Sequence, residues 1–183
     1  MIYLFLADGC EEVEALTTLD LLRRAGLEVR TVSIMGRKNI IGSHKIEILA
    51  DLVFEELDSS QAEADMLILP GGMPGTTNLA AHEGLAQLIR SQDAKGGYLA
   101  AICAAPTVYG EMGLLNGSEA TCYPGMESGL KGAVVKEDSV VVSGNYITSR
   151  GLGTAIDFGL KLIEILKDPF TANDIAEKIV YRR

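Results

Sequence analysis

The sequence has little positive charge and no long hydrophobic run. Its 183 residues include 16 Lys and Arg against 25 Asp and Glu, which gives a formal net charge of −9. A surface this acidic repels polyphosphates, so neither nucleic acid nor an anionic membrane is expected as a partner. No stretch of eighteen apolar residues is present, and the strand-like start MIYLFLA runs directly into acidic residues. We therefore predict no membrane span and no export leader.

Cysteine and histidine are also scarce, and this bears on disulfides, metals and cofactors. The three cysteines are odd in number and follow no disulfide pattern, so they fit reduced thiols in a cytoplasmic protein. His44 and His82 stand apart, without the spacing of a metal-ligand pair. The segment GLGTAI (151–156) offers Gly-x-Gly but lacks the third glycine and the later acidic residue of a dinucleotide site. No metal and no cofactor are predicted.

Strand-like and helix-like segments alternate along most of the chain, which is the pattern of βαβ units. Short apolar runs bounded by turn residues predict buried strands, and an apolar stripe at helical spacing predicts helices. The predicted strands cover 2–7, 28–34, 45–50, 65–72 and 98–102, and the predicted helices cover 11–26, 78–94, 104–112, 153–167 and 172–181. The stretch 118–150 is richer in β-formers, and a turn near Glu137 and Asp138 predicts a small hairpin. We expect one α/β domain over residues 1–183, with a mostly parallel sheet and helices on both faces.

Cys103 lies where an apolar run, YLAAI, gives way to a predicted helix. In an open α/β sheet, ligands and catalytic groups gather at this carboxyl edge. The helix N-terminus would favour the thiolate and lower the cysteine pKa, and small neighbours such as Ala104 resemble a nucleophile elbow. The alternative is a cysteine that only fills the core, since free cysteine is among the most buried residue types. Cys10 and Cys122 have no such context and are interpreted as bystanders.

Two further segments predict functional groups at the same edge. The segment LPGGMPG (69–75) ends a strand in two glycines and leaves backbone N–H groups open. Such groups form an oxyanion hole when a nucleophile lies near, and otherwise the segment is only a tight turn. The acidic helix start CEEVEA complements the helix dipole, and we expect Glu11 and Glu12 to face water. Glu14, one turn further on, either does the same or points across the edge and exchanges a proton with the thiol.

Four segments in order, GCEEVEA, LILPGGMPG, AAICAAPTV and ITSRGLGTAIDFGLKLIEIL, resemble signature segments of the DJ-1/ThiJ/PfpI superfamily, and the resemblance spans nearly the whole chain. It implies a flavodoxin-like three-layer α/β sandwich, and a homodimer formed through the first helix with its Arg24. By motif, Cys103 resembles the family's nucleophilic and easily oxidised cysteine, and Glu14 resembles the protonated glutamate bonded to it. Gly72 and Ala104 resemble the backbone donors of the oxyanion pocket.

The resemblance also implies a reaction. It predicts a glutathione-independent glyoxalase that converts a small α-oxoaldehyde such as methylglyoxal into a hydroxy acid such as lactate, or a deglycase acting on glycated groups. A thiolate, backbone donors and a nearby carboxyl meet the needs of this chemistry. The rival hypothesis is a redox sensor or chaperone in oxidative stress, in which Cys103 is oxidised without turnover. The sequence does not separate the two.

The chain departs from the family pattern at two positions. Many members carry a histidine after the elbow helix, where this chain has TCYPG and therefore Tyr123. Tyrosine, with an ordinary pKa of about 10, is a poor base at neutral pH, so a Cys-His protease or amidotransferase pair is not expected. His44 falls near the position of a family arginine beside the site, and an anion contact there stays open.

Overall fold

The computed structural model describes residues 1–57 and 64–182. In these ranges the strands are β1 (Ile2–Leu6), β2 (Val29–Ser33), β3 (Asn39–Ile41), β4 (Glu47–Leu49), β5 (Leu52–Val53), β6 (Met66–Leu69), β7 (Tyr98–Ile102), β8 (Glu119–Ala120), β9 (Val134–Val135), β10 (Val140–Ser143) and β11 (Tyr146–Ser149). The helices are α1 (Glu12–Arg24), α2 (Gly75–Ala81), α3 (Glu83–Ala94), α4 (Pro106–Glu111), α5 (Ala155–Leu166) and α6 (Pro169–Lys178). Strands and helices therefore alternate much as the apolar pattern predicts.

Seven strands form one central sheet in the order β10-β11-β7-β6-β1-β2-β5. Every neighbouring pair is parallel except β10 and β11, which are antiparallel. The mostly parallel sheet and the small hairpin are thus confirmed. The predicted turn near Glu137 and Asp138 is wrong, because β10 and β11 are joined at Gly144 and Asn145. Gly144 has a φ of 60°, which a two-residue hairpin turn requires and glycine adopts without strain.

The sheet separates two hydrophobic cores, and alternate residues of β1 belong to each. Ile2 and Leu4 pack into one core with apolar residues of α1, α5 and α6, whereas Tyr3 and Phe5 pack into the other with residues of α2, α3 and α4. Strand side chains point to opposite faces in turn, so a strand buried on both faces is apolar throughout. Helices therefore cover both faces of the sheet, as predicted.

Helix α1 is positioned by signals in its own sequence and by a close contact with α5. Glu11 caps its start, since the Glu11 side chain accepts a hydrogen bond from Glu14 N at 2.7 Å. Gly26, with a φ of 70°, follows its end. On its buried face, Leu21 lies against Gly159 of α5, where an added Cβ would be only 2.6 Å from Leu21 Cδ1. Among the described residues no helix is long and apolar enough to cross a membrane.

Two elements of the structure differ from their predictions. The predicted helix over 78–94 is two helices, because His82 is extended (φ −83°, ψ 101°) and its ring Nδ1 accepts a hydrogen bond from Leu85 N at 3.0 Å, capping α3. The predicted strand at 45–50 lies outside the central sheet, since β4 pairs antiparallel with β3 instead. Both differences arise from local hydrogen bonds that an apolar pattern does not reveal.

Candidate functional site

The site lies where the carboxyl ends of three adjacent strands meet. β6 pairs with β1 on one side and with β7 on the other. β1 leads into the start of α1, β6 is followed by the turn containing Gly71 and Gly72, and β7 is followed directly by Cys103. The parallel register brings these three segments together. The structure thus places all four predicted site residues at this edge.

Cys103 occupies a strained turn between β7 and α4. Its φ is 65°, a left-handed conformation that is uncommon for a residue with a side chain. The backbone is held there by Cys103 N donating to Ser149 O at 3.0 Å and by Tyr123 N donating to Cys103 O at 2.7 Å. Such a turn places the side chain at the end of the sheet, where Cys103 is partly buried against one of the two cores. Cys103 is accordingly half-buried, whereas the other two cysteines are buried.

Glu14 is 1% exposed and turns inward toward the thiol. Its carboxyl shares a hydrogen bond with the Cys103 side chain, and its Oε2 accepts a second from Gly71 N at 2.9 Å. A Cβ added at Gly71 would lie 2.5 Å from Cys103 Cβ and 2.8 Å from Glu14 Oε2. Gly71 therefore lets the thiol and the carboxyl meet, because a larger residue would occupy the space between them.

Backbone donors complete the surroundings of the sulfur. The N–H groups of Gly72 and Ala104 donate to Cys103 Sγ. Gly72 has a φ of 88°, and an added Cβ would lie 2.3 Å from Glu11 N, so only glycine fits this position. The structure brings Cys103, Glu14, Gly72 and Ala104 into one cluster. The cluster therefore consists of a thiol, a buried carboxyl and two backbone N–H groups.

The thiol and the carboxyl titrate as a pair. Burial raises the pKa of Glu14 to about 7, although hydrogen bonds with Cys103 and Gly71 act to lower it. Burial, together with the charge and the hydrogen bond of Glu14, raises the pKa of Cys103 to about 12, and the donors at Gly72 and Ala104 offset only part of this. The predicted lowering of the cysteine pKa is therefore wrong, since burial and a neighbouring carboxylate outweigh the amide dipoles. Between about pH 7 and 12 the pair holds one proton.

Glu11 and Glu12 do not face water as predicted, because both are buried, at 8% and 2% exposure. Residues 42–46 fold over them, and His44 Nδ1 lies 3.0 Å from Glu12 Oε2 and 3.8 Å from Glu11 Oε1. Burial raises the pKa of Glu12, but hydrogen bonds from its own N–H and from His44 bring it down to about 2. Glu12 also accepts hydrogen bonds from Ser43 Oγ and His44 N. No local pattern in the sequence indicates this long-range contact.

These three side chains are also a group that could hold a metal ion. The ligand atoms of Glu11, Glu12 and His44 lie within 4.8 Å of one another. The carboxylates already accept hydrogen bonds from Glu14 N, Ser43 Oγ and His44 N. These hydrogen bonds join the start of α1 to residues 42–46, and we interpret the cluster as the support that fixes the start of this helix.

Two cysteines and a tyrosine surround the site without entering the thiol–carboxyl pair. Burial raises the pKa of Cys10 to about 12 and that of Cys122 to about 11. Both lie in the hydrophobic cores, which agrees with their interpretation as bystanders. Tyr123 is 51% exposed, and its ring borders Gly151: a Cβ added there would lie 3.4 Å from Tyr123 Cδ2.

Comparison with known proteins identifies the family that the sequence resembles, over most of the chain. The model of the family described as DJ-1/PfpI matches residues 1–165. Protein dj-1beta of Drosophila melanogaster is 37% identical over 177 residues, covering 96% of this chain and 94% of the fly protein. A Caenorhabditis elegans protein named glutathione-independent glyoxalase DJR-1.2 is 31% identical, covering 94% of this chain and 91% of that protein.

A solved structure has the same fold as this chain. Toxoplasma gondii DJ-1, in an oxidized form, superposes with a TM-score of 0.94 at 33% identity, covering 100% of this chain and 98% of that one. A likeness of this extent confirms the predicted flavodoxin-like three-layer architecture.

Proposed function

The chain belongs to the DJ-1/PfpI family, and from this premise we propose that residues 1–183 form a single-domain enzyme that converts small α-oxoaldehydes into hydroxy acids without glutathione. Cys103 is its nucleophile and Glu14 its proton carrier. The observation that carries the proposal is the contact of thiol and buried carboxyl around Gly71. A deglycase reaction on glycated groups would use the same thiol.

In the first step the Cys103 sulfur attacks the aldehyde carbon of the substrate. The Glu14 carboxylate takes the thiol proton as the carbon–sulfur bond forms, so the high pKa of the free thiol does not prevent attack. The carbonyl electrons move to oxygen, and the N–H groups of Gly72 and Ala104 donate to the oxyanion. One such donor typically contributes about 3 kcal/mol to the transition state. Glu14 returns its proton to the oxygen, which gives a hemithioacetal.

In the second step the Glu14 carboxylate removes the proton from the carbon that carries sulfur. The electron pair forms an enediol, and return of the proton to the neighbouring carbon gives an α-hydroxy thioester. Water then hydrolyses the thioester, releasing the hydroxy acid and the thiol. The net change is the addition of one water. A pKa of about 7 suits Glu14 to both proton transfers, since it gains and loses a proton readily near neutral pH.

The test is lactate formation from methylglyoxal by the wild type, Cys103→Ser, Glu14→Gln and the control Cys122→Ser. We expect activity in the wild type and the control, and losses of at least about 100-fold in the two site variants. Circular dichroism establishes that each variant is folded. An inactive wild type, or full activity in Cys103→Ser, would overturn the proposal.

A second function has its own supporting observation. Cys103 is the one cysteine of the three that is not buried, so an oxidant reaches it before Cys10 and Cys122. A redox sensor would use this difference without turnover. Peptide mass spectrometry after mild peroxide treatment distinguishes the functions: sulfinate confined to Cys103 together with no lactate formation favours the sensor, whereas turnover favours the enzyme.

The homodimer implied by the family remains a proposal, and exposed apolar residues on α1 support it. Val13 and Leu16 are 45% and 40% exposed, while Arg24 pairs with Asp20 of its own helix at 2.5 Å. Sedimentation velocity should give a dimer for the wild type and for the control Phe170→Glu, and a monomer for Leu16→Glu, because a charge on a buried apolar contact is costly. A monomeric wild type would contradict this proposal.

A further inference from the structure

Tyr123 stands at the edge of the candidate site, although it takes no part in the proposed proton transfers. Its N–H donates to Cys103 O at 2.7 Å, so its backbone is tied directly to the residue that carries the thiol. Half of the side chain is exposed. The tyrosine ring is therefore anchored beside the nucleophile and open to a bound molecule.

Gly151 shows how near the ring is to the reacting groups. A Cβ added at Gly151 would lie 3.4 Å from Tyr123 Cδ2, 3.8 Å from its Cε2 and 3.9 Å from Glu14 Oε1. The position of this added Cβ is thus within contact distance of both the tyrosine ring and the Glu14 carboxyl, which moves the proton. Because Gly151 has no side chain, the space between ring and carboxyl is left to the substrate.

We propose that Tyr123 determines the substrate class of this site by binding a flat apolar group, so that aryl-substituted α-oxoaldehydes are preferred over alkyl ones. The inference rests on the proposed function. When the Cys103 sulfur attacks the aldehyde carbon, the substituent on the neighbouring carbonyl carbon extends into the space beside Gly151. An aryl group there packs against the tyrosine ring, and aromatic pairs attract each other beyond the effect of burial alone.

The test compares kcat/KM for phenylglyoxal and methylglyoxal in the wild type, Tyr123→Ala and Tyr123→Phe. Phe170→Ala is the matched control, since Phe170 is an aromatic residue that is 85% exposed on α6, a helix that contributes no residue to the candidate site. We expect the wild type to prefer phenylglyoxal, and Tyr123→Ala to lower the phenylglyoxal-to-methylglyoxal ratio about tenfold. Tyr123→Phe and the control should keep the ratio. An unchanged ratio in Tyr123→Ala, or a preference for methylglyoxal in the wild type, would overturn the inference.

A readout without turnover separates this inference from the proposed function. The rates at which N-phenylmaleimide and N-methylmaleimide alkylate Cys103 are measured by peptide mass spectrometry in the wild type and in Tyr123→Ala. A phenyl preference that is lost in Tyr123→Ala supports the aromatic contact even where no aldehyde is consumed. Equal preference in both proteins refutes the contact, even where methylglyoxal is turned over.

Discussion

Replacing Glu14 by glutamine should change how the stability of the protein depends on pH. Glu14 is almost fully buried, and burial raises its pKa from an ordinary 4.5 to about 7. The folded protein therefore binds this proton more tightly than the unfolded chain does. The stabilisation that results is fully present below the ordinary pKa and is lost as pH rises through about 7.

The size of the effect follows from the pKa shift. One pKa unit corresponds to about 1.4 kcal/mol, so the shift corresponds to about 3 kcal/mol of unfolding free energy, most of it lost between pH 5 and 8. Glutamine has the same shape, retains an oxygen for the Gly71 N–H and carries no titrating proton. The difference between Glu14→Gln and the wild type should move by about 2 to 3 kcal/mol in favour of the variant from pH 5 to pH 8.

Urea unfolding followed by circular dichroism measures this difference at pH 5, 6, 7 and 8. In the wild type the Cys103 thiol stays protonated in this range, because its pKa is raised to about 12, and burial, the largest cause of that increase, is retained in the variant. Glu177→Gln is the control, since Glu177 is exposed on α6, and its difference from the wild type should stay constant. Parallel curves for the wild type and Glu14→Gln would show that the carboxyl does not titrate near neutral pH, and the assignment of Glu14 as proton carrier would fall with it.

Three further predictions concern activity and packing. With Glu14 as the base, kcat/KM for methylglyoxal should rise with pH through about 7, and a flat profile from pH 5 to 9 would argue against that role. In Gly71→Ala the added methyl would lie 2.5 Å from the cysteine Cβ, so activity should fall at least about 100-fold. Gly153→Ala places its methyl in open space and should retain activity; equal losses would point to general damage. Tyr109→Phe removes a buried hydroxyl that donates to a carbonyl of β7 at 3.1 Å, and urea unfolding should show a loss of about 1 kcal/mol; no loss would mean that this bond is not stabilising.

The sequence predicted the fold well because the patterns that indicate strands and helices lie within each segment itself. The apolar run of β1 has the length and turn boundaries of a buried strand, and the structure places alternate residues of this run in two cores. The helix that starts at Glu12 carries its cap and its glycine stop within the same segment. The hairpin turn was misplaced because two turn-forming pairs, Glu137-Asp138 and Gly144-Asn145, compete within a few residues, and strand pairing decides between them.

The candidate site was located from the sequence because strand ends can be read from the chain. Cys103 and Gly72 both follow apolar strands, and parallel strands end at the same edge. The direction in which Glu14 points was left open, because a residue one turn into a helix can face water or the sheet. The burial of Glu11 and Glu12 beneath His44 was missed, since it depends on a segment about thirty residues further along the chain.

The sequence by itself determined most of the strands and helices and the edge at which the candidate groups gather. Only the tertiary structure decided the protonation of those groups. A helix dipole read from the sequence favours a thiolate, but the folded chain buries the thiol and sets the Glu14 carboxyl against it, which raises the pKa of Cys103 to about 12. A pKa depends on the solvent and the charges that surround a group in space, and those surroundings come from segments that are distant in the chain.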